Sequence, residues 1–214
     1  MTITLVDSIT EKDAVDTFSV TPSGTPTDGN LLLCGIAVNG QTVSTVPSGW
    51  TLVSSRTEGN GNGHAYLYYK VADSESGSYT WTMTDRPTEL VAGYMEFSNV
   101  NTLEGFETIS LSGTSVGTEV VAVAANDNDE SLVVHVTAYD PQATPNGNWT
   151  NSTTLVGSPG ATYGEVVYEL DFDPPGSASD TRALFLSANW AIVSAAFYFD
   201  PGISSVIMRR RRMR

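Results

Sequence analysis

The acidic run Glu169-Leu170-Asp171-Phe172-Asp173 is the first place where residue spacing suggests chemistry. In an extended strand, residues 169, 171 and 173 share one face, so three carboxylates would lie side by side. Two carboxylates about 5 Å apart are the arrangement of a retaining glycosidase, and clustered oxygens also suit Ca²⁺. The run predicts a solvent-facing acidic strand, with Ca²⁺ binding as the first alternative and glycan hydrolysis as the second.

The two histidines and the single cysteine do not form a recognisable metal or catalytic set. His64 and His135 stand 71 residues apart, and a protein metal site needs three or four ligands at suitable spacing. His64 follows a glycine-asparagine loop and His135 alternates with valines, so we expect structural roles for both. A lone cysteine excludes an internal disulfide. Cys34 lies in an apolar run, and we expect it to be a small buried hydrophobic residue.

A second acidic run, Asn126-Asp127-Asn128-Asp129-Glu130, presents a choice between a turn and a cation site. It lacks the full pattern of an EF-hand loop. A polar hairpin turn is therefore the prediction, with Ca²⁺ as the alternative. None of these polar sets amounts to a catalytic centre, so the sequence predicts a protein that is not an enzyme and requires no cofactor.

Aromatic residues suggest either a packed core or a binding surface. The chain has four tryptophans and nine tyrosines, and exposed rings of these types stack on sugars or anchor protein contacts. Tyr66, Tyr68 and Trp81 alternate with other residues, which is typical of core packing. Loops rich in Asn, Gly and Thr, at Thr57–Gly63 and at Thr144–Thr153 with Trp149, are better candidates for recognising a host glycan or receptor.

Charge is distributed very unevenly along the chain. The formal net charge is −14, from 24 acidic and 10 basic residues. Five of the basic residues are among the last six positions, so the rest of the chain has five basic and 24 acidic residues, a charge of −19. A body with that charge repels nucleic acid and anionic membranes, so neither is expected as its partner.

The C-terminus has the opposite character, a short apolar run followed by arginines. Terminal blocks of like charge commonly form interaction arms, although a solvated, frayed terminus is the alternative. We expect residues 203–214 to be a docking arm that binds an acidic surface on a neighbouring subunit or partner. The predicted docking residues are Ile203, Val206, Ile207, Met208, Arg209, Arg210, Arg211, Arg212 and Arg214.

The elements that must position these residues are β-strands, because short runs of Val, Ile, Thr, Tyr and Phe are cut by Gly, Pro, Asn and Asp. Helical periodicity is faint and confined to Glu11–Ser19. A connection is expected between Phe97 and Ser110, but Asn99–Gly113 is mixed and partly apolar in composition, so no long Pro/Ser/Gly linker separates the halves. The predicted strands are Ile3–Val6, Asp16–Val20, Asn30–Val38, Thr51–Glu58, Ala65–Ala72, Ser78–Met83, Val91–Phe97, Ser110–Leu111, Glu119–Ala122, Ser131–Tyr139, Thr153–Val156, Tyr163–Asp171, Arg182–Ala188 and Ile192–Phe199.

The sequence repeats itself loosely at an offset of about a hundred residues, which is close to the size of a small β unit. Leu31-Leu32-Leu33 matches Leu132-Val133-Val134, and Tyr66–Val71 matches Glu165–Leu170. Two such halves form either separate small sandwiches or one jelly roll. We expect an all-β jelly-roll β-sandwich over residues 1–202, with pseudo-repeated halves at about 1–110 and 111–202 and an extended C-terminal arm.

Several turn and aromatic motifs resemble a β-sandwich module of tailed viruses, found in tail fibres and capsid decorations. The resemblance covers about Thr25 to Pro201 and consists of structural motifs, so it implies a fold more directly than a role. The motifs are Asp28-Gly29-Asn30-Leu31-Leu32-Leu33, Pro47-Ser48-Gly49-Trp50-Thr51-Leu52-Val53, Tyr68-Tyr69-Lys70-Val71-Ala72, Tyr79-Thr80-Trp81-Thr82 and Ala92-Gly93-Tyr94-Met95-Glu96-Phe97-Ser98-Asn99-Val100.

The resemblance implies a virion structural protein, a capsid decoration or tail component that the basic arm attaches to other virion proteins. Virion sites are symmetric, so we expect a homo-oligomer. No secretory signal or transmembrane run is apparent, which implies synthesis in the host cytoplasm. The alternatives are a carbohydrate- or receptor-binding module of a tail fibre, and a glycan hydrolase. The acidic spacing resembles the Glu-x-Asp-x-Glu core of jelly-roll glucan hydrolases, with Asp173 in place of the last glutamate.

Overall fold

The computed structural model describes residues 3–115, 118–124, 131–139, 145–146, 153–156, 164–169, 177–184 and 188–199. This part of the chain consists of sixteen β-strands joined by turns and contains no helix. In chain order the strands are β1 (Thr4–Asp13), β2 (Thr17–Val20), β3 (Leu31–Asn39), β4 (Val43–Thr45), β5 (Thr51–Thr57), β6 (Gly63–Val71), β7 (Tyr79–Met83), β8 (Glu89–Ser98), β9 (Val100–Ser115), β10 (Thr118–Ala124), β11 (Ser131–Tyr139), β12 (Pro145–Asn146), β13 (Thr153–Val156), β14 (Gly164–Glu169), β15 (Ser177–Leu184) and β16 (Ala188–Phe199).

The strands form four antiparallel sheets in two matching sets. The first half of the chain, β1 to β8, has a five-stranded sheet in the order β1-β8-β3-β6-β5 and a three-stranded sheet in the order β2-β7-β4. The second half, β9 to β16, has a five-stranded sheet in the order β9-β16-β11-β14-β13 and a three-stranded sheet in the order β10-β15-β12. Adding eight to each strand number converts one set into the other, so the halves share one strand order.

Strand β3 shows why these sheets have two covered faces. Its sequence from Leu31 to Val38 is apolar without alternation, and every residue of the strand is buried. A continuous apolar run of this kind is typical of a strand that is covered on both sides. Leu33 and Ala37 belong to one apolar core and Cys34 and Ile36 to another, because successive side chains of a strand point to opposite faces.

The core on one side of β3 is shared between the two halves. The two five-stranded sheets pack face to face, and their facing side chains form one continuous cluster. We name this cluster the shared core. Its members include Leu33, Ala37, Leu67 and Met95 from the first half and Leu132, Val134, Val136, Val166 and Val193 from the second.

Contacts across the shared core are those that a local two-fold axis would produce. β3 contacts β11, its counterpart, while β6 contacts β11 and β14 contacts β3. A Cβ atom added to Gly35 would lie 2.8 Å from a methyl carbon of Val136, the residue in the same place of the repeat. The halves therefore pack as an isologous pair, with β3 and β11 nearest the axis.

The junction between the halves is a single residue. Strand β8 ends at Ser98, β9 begins at Val100, and Asn99 between them has a φ of 63°. Asparagine tolerates this left-handed conformation better than most residues. The segment between Phe97 and Ser110, which the sequence predicted to be a connection, is mostly strand, because β9 supplies the counterpart of β1 to the second half.

The all-β sandwich class that the sequence predicts is confirmed. Strands β11 and β13 have the predicted bounds, and most others differ by one to three residues. The short strands β4 and β12 were not predicted, and β1 extends to Asp13, through the start of the segment with faint helical spacing. The jelly-roll connectivity of the whole chain stays a prediction, and so does the docking arm, since residues 203–214 lie outside the described residues.

Candidate functional site

Most residues that the sequence singled out for chemistry lie outside the described part of the chain. These are the arm residues 203–214, the run Asn126–Glu130, Trp149, and the carboxylates Asp171 and Asp173. Glu169 is the last residue of β14, where its backbone pairs with that of Val133. The docking, Ca²⁺ and hydrolase hypotheses for these residues therefore stay predictions.

The tryptophans of the first half fill its interior, between the five-stranded and three-stranded sheets. Trp81 is fully buried and Trp50 is 8% exposed. Their ring centroids lie 4.9 Å apart with nearly perpendicular planes, and Phe18 stacks on Trp81 at 5.7 Å. Tyr68 and Tyr94 belong to the same core. The predicted packing role of these rings is confirmed, so neither tryptophan presents a face on which a sugar could stack.

Burial governs the ionisable groups of this aromatic interior. It raises the pKa of the Cys34 thiol well above its ordinary value, so the thiol stays protonated and unreactive near neutral pH. Burial is also the main reason that the pKa of Tyr94 is raised, with nearby Glu96 and Tyr79 adding to the effect. The predicted role of Cys34 as a small buried hydrophobic residue is confirmed.

A buried ion pair closes one end of this interior. Glu75 contacts Lys70 Nζ through both carboxylate oxygens, at 2.8 and 2.9 Å, and accepts a 2.8 Å hydrogen bond from the Tyr79 hydroxyl. Burial alone would raise the pKa of Glu75, but hydrogen bonds from Lys70, Tyr79 and the Asp73 amide together outweigh it and lower that pKa. These contacts hold the turn after β6 against β7, and the charges of Lys70 and Glu75 compensate each other.

A second buried carboxylate, Glu96, fixes the loop that precedes β3. Its Oε1 accepts a 2.6 Å hydrogen bond from the Asn30 side-chain amide and a 3.1 Å bond from the Thr27 backbone amide. Asp28 on the same loop accepts a bond from the backbone amide of Ser74. Like the contacts of Glu75, these contacts have a structural role, because the carboxylate oxygens that form them are bonded to donors of the protein itself.

The predicted recognition loop Thr57–Gly63 has a defined geometry. The Glu58 carboxylate turns inward and accepts backbone hydrogen bonds from Asn60, Asn62 and Gly63 at 2.6, 2.8 and 3.2 Å. Glu58 is buried, whereas Asn60 and Asn62 are exposed. We name residues Glu58–Gly63 the Glu58 turn. It presents two asparagine side chains to solvent on a backbone that the carboxylate holds in place.

His64 lies directly after this turn and has the structural role that the sequence predicts. Its Nδ1 lies 3.0 Å from Thr57 Oγ1, and its ring stacks on Tyr66 at 6.3 Å. Burial lowers the pKa of His64, although Glu58 and a backbone hydrogen bond involving Gly61 act in the opposite direction. A neutral imidazole packed on a tyrosine ring stabilises the start of β6.

A group of polar side chains lies inside the second half, on the face of β11, β14 and β16 that points away from the shared core. Cross-strand pairing places His135 opposite Ser194 and Thr137 opposite Glu165. His135 Nδ1 lies 2.9 Å from Ser194 Oγ, and the Tyr139 hydroxyl donates to Glu165 Oε2 at 3.4 Å. We name these five residues the inner polar cluster.

The inner polar cluster is enclosed. His135 is 1% exposed, and Thr137, Tyr139, Glu165 and Ser194 are fully buried. A serine hydroxyl beside an imidazole is the first pair of a hydrolase triad, but an enclosed pair has no open face for a substrate in this structure. Burial of five polar side chains together is costly unless they satisfy one another or a bound molecule.

Sequence reasoning found only His135 of this cluster, and it expected a lone structural residue. The signal that could have found the rest is the internal repeat, because the match of Tyr66–Val71 with Glu165–Leu170 sets a carboxylate against an aromatic ring. Ser194 and Thr137 are common residue types in strands and carry no signal of their own. Only the strand registers bring the five side chains together.

One pentapeptide, Gly113-Thr114-Ser115-Val116-Gly117, has the Gly-x-Ser-x-Gly form of a hydrolase nucleophile elbow. An elbow needs a strand, a sharp turn and a helix in succession. Ser115 is the last residue of strand β9, and the next described element is strand β10 from Thr118. The pentapeptide therefore has a strand on each side and lacks the structural context of an elbow.

The described residues contain no group of three or more His, Cys, Asp or Glu placed to hold a metal ion. Among the same residues, no helix has the length and apolar character needed to span a membrane. No protein-family model, no curated protein and no solved structure matches the chain.

Proposed function

We propose that the protein is a non-enzymatic structural component of a virus particle, either a decoration of the capsid or part of the tail. The observation that carries this proposal is the segregation of charge, with −19 on the body and five arginines within the last six residues. Opposite charges arranged in this way favour attachment through the end of the chain. The resemblance of the turn and aromatic motifs to tailed-virus sandwiches supports the assignment to a particle.

Attachment in this proposal uses charge and apolar burial together. The arginines would contact an acidic surface of a neighbouring virion protein, and Ile203, Val206, Ile207 and Met208 would bury apolar side chains beside it. Arginine suits this role, because its planar guanidinium bonds a carboxylate through two donors at once. The acidic body would then project away from the attachment point, and several copies would surround a symmetry axis of the particle.

The described body is consistent with a role that does not depend on chemistry. Its carboxylates Glu58, Glu75 and Glu96 are each bonded to donors of the protein itself, and the Ser194–His135 pair is enclosed. The two halves share one core, which favours a rigid unit over hinged domains. Rigidity and solubility are what an outward-facing particle component requires.

Deletion of residues 209–214 tests the proposal. We expect the truncated protein to be lost from assembled particles while the melting temperature of the isolated protein stays the same, since the sequence predicts that the β-sandwich ends at residue 202. Replacing the five arginines by lysines is the matched control, because it keeps the charge and should retain most incorporation. Incorporation of the truncated protein at the normal level would refute attachment through the arm.

The Glu58 turn favours a second candidate function, recognition of a host glycan or receptor. Exposed loops on a rigid scaffold commonly carry binding residues, and a backbone already fixed by Glu58 lowers the entropy lost on binding. The exposed Asn62 offers an amide donor and acceptor to a hydroxylated ligand. Binding of the protein to host cells should fall when Asn62 is replaced by alanine, while Asn39→Ala, a change at a buried asparagine of the adjacent strand end, should leave it unaltered if the fold is kept.

We also infer that each half is a jelly roll of eight strands. Within each half, consecutive strands alternate between the five-stranded and three-stranded sheets for most of the sequence, as expected for paired Greek keys. In this view the chain is a tandem pair of jelly rolls joined through their larger sheets. The shared strand order of the halves supports this inference.

A further inference from the structure

One residue connects the two halves, and it has an unfavourable backbone conformation. Strand β8 ends at Ser98 and β9 begins at Val100, which leaves only Asn99 between them. Asn99 has a φ of 63°, in the left-handed region that only glycine adopts without strain. Within the described part of the chain, Ser74 is the one other non-glycine residue with a positive φ. Short connections under strain favour the exchange of elements between chains.

The halves are not joined by strand pairing. Every pairing between the described strands joins two strands of the same half, with β8 between β1 and β3, and β9 at the edge beside β16. The contacts between the halves therefore come from side chains. They include the shared core and two hydrogen bonds that Arg56 of β5 donates to Ser112 Oγ of β9, from Nε at 3.0 Å and from Nη2 at 2.8 Å.

The shared core does not depend on which chain supplies each half. It forms where strands of the first half pack on strands of the second, such as β3 and β6 on β11. If the first half of one chain packed on the second half of another, the same side chains would meet. Two chains paired in this way would form two complete shared cores and would differ from the single chain only at Asn99. Exchange of this kind is a low-cost route to a dimer.

We propose that two copies of this chain form a dimer by exchanging halves at Asn99, each half packing through its shared-core face on the other chain. We name this form the exchanged dimer. High protein concentration during folding favours it, because each half then meets the complementary half of another chain more often. The dimer persists afterwards, because its separation would expose the shared core to water. Reciprocal exchange fills the shared-core faces of both chains, so the dimer is closed.

Engineered cysteines report which chain supplies each half. Gly63 of β6 and Ala138 of β11 are buried, and a Cβ atom added to Gly63 would lie 3.5 Å from the Cβ of Ala138. This separation suits a disulfide. In a Cys34→Ala background, one chain carries Gly63→Cys and another carries Ala138→Cys. We expect a disulfide-linked dimer when the two are refolded together from urea at high concentration, because these positions meet through the shared core.

Two controls accompany this experiment. A single chain with both cysteines, refolded at low concentration, should form the disulfide within itself, which verifies that the substituted sites fold and lie close together. Deletion of residues 209–214 should leave the linked dimer unaltered, whether or not attachment to particles fails. The exchanged dimer is thereby tested independently of the docking arm.

Variants of Asn99 test the junction without any added cysteine. Asn99→Val introduces a β-branched side chain that strongly disfavours the left-handed region, so it should raise the ratio of dimer to monomer after refolding roughly tenfold. Asn99→Gly also lacks the asparagine side chain but adopts this conformation without strain, so it should lower that ratio. Gel filtration of the refolded full-length proteins measures both changes.

Two results would overturn the proposal. A disulfide that forms in the single-chain control but never between chains, at any refolding concentration, would show that each half pairs only within its own chain. Equal dimer ratios for Asn99→Val, Asn99→Gly and the wild-type protein would show that the junction does not control exchange. If Gly63→Cys does not fold, the Asn99 series still decides, and monomer alone in all three proteins would refute the exchanged dimer.

Discussion

Gly35 and Gly164 determine how closely the two halves approach each other. A Cβ atom at position 35 would lie 2.8 Å from methyl carbons of both Val136 and Val166. At position 164 it would overlap the Cβ of Ala37 and lie 2.8 Å from the carbonyl oxygen of Thr137. Neither glycine has a positive φ, so the requirement for glycine arises from packing between the sheets and not from backbone conformation.

Gly35→Ala should therefore lower the free energy of unfolding by about 1–3 kcal/mol, the usual effect of overpacking a well-filled core. Urea unfolding followed by tryptophan fluorescence measures the change. Gly24→Ala is the control, because a Cβ there would have no neighbour within 4 Å, and it should cause no loss of stability. Equal stability of the Gly35→Ala and wild-type proteins would mean that the sheets do not pack as closely as described.

Glu75 should make the stability of the protein depend on pH in the acidic range. Its pKa in the folded protein is lowered from the ordinary value of 4.5, so the folded state binds this proton less readily than the unfolded state does. The stabilisation from the ionised carboxylate is therefore fully present above about pH 4.5 and is lost as the pH falls through the lower folded pKa. The contacts with Lys70 and Tyr79 are the source of that stabilisation.

Comparison of Glu75→Gln with the wild-type protein isolates this effect. Near neutral pH the variant should be less stable by about 1–3 kcal/mol, since hydrogen bonds to a charged group are lost, and the difference should shrink as the pH falls below 4.5. Thermal unfolding at a series of pH values measures it. Asp16→Asn, at an exposed carboxylate, is the control. A stability difference that stays constant with pH would contradict this account.

At the scale of strands, turn chemistry and apolar runs allowed most of the fold to be predicted. Gly29 and Gly49 lie in turn motifs identified in the sequence, and they have positive φ values of 87° and 80°, which glycine adopts without strain. The apolar run of β3 correctly indicated a buried strand. The repeat in sequence predicted halves that divide near residue 110, whereas the two sets of strands divide at Asn99.

Three features could not be predicted from local sequence, each for a physical reason. Strand β9 has mixed composition because it lies at the edge of its sheet, where alternation of apolar and polar residues is weak. A buried strand such as β3 shows that both of its faces are covered but not which elements cover them, so the local sequence leaves open whether the halves pack on each other. The inner polar cluster depends on the register of β11, β14 and β16, which local sequence does not determine.

At the scale of the whole molecule, the shared core should hold the halves together without a covalent link. We expect a protein cut by a specific protease at a site inserted beside Asn99 to elute as a single species in gel filtration. The physical reason is the continuous apolar cluster that both halves contribute. Exposing this cluster to water would cost far more free energy than is gained by cutting the one peptide bond between the halves. Addition of urea should separate the fragments and serves as the control. Separation under native conditions would show that the halves are independent domains.

The approximate two-fold relation between the halves has a consequence for valency. A surface that binds its own copy generally produces dimers. In this chain the two matching surfaces are the facing five-stranded sheets, which bind each other. Within the described part of the chain, the faces that form the shared core are therefore not left over for recruiting further molecules. If the protein does build rings or shells, as we expect of a particle component, the contacts must come from the outer three-stranded sheets, the strand edges or the terminal segment, and mutations in the shared core should alter folding without changing the number of subunits in the ring.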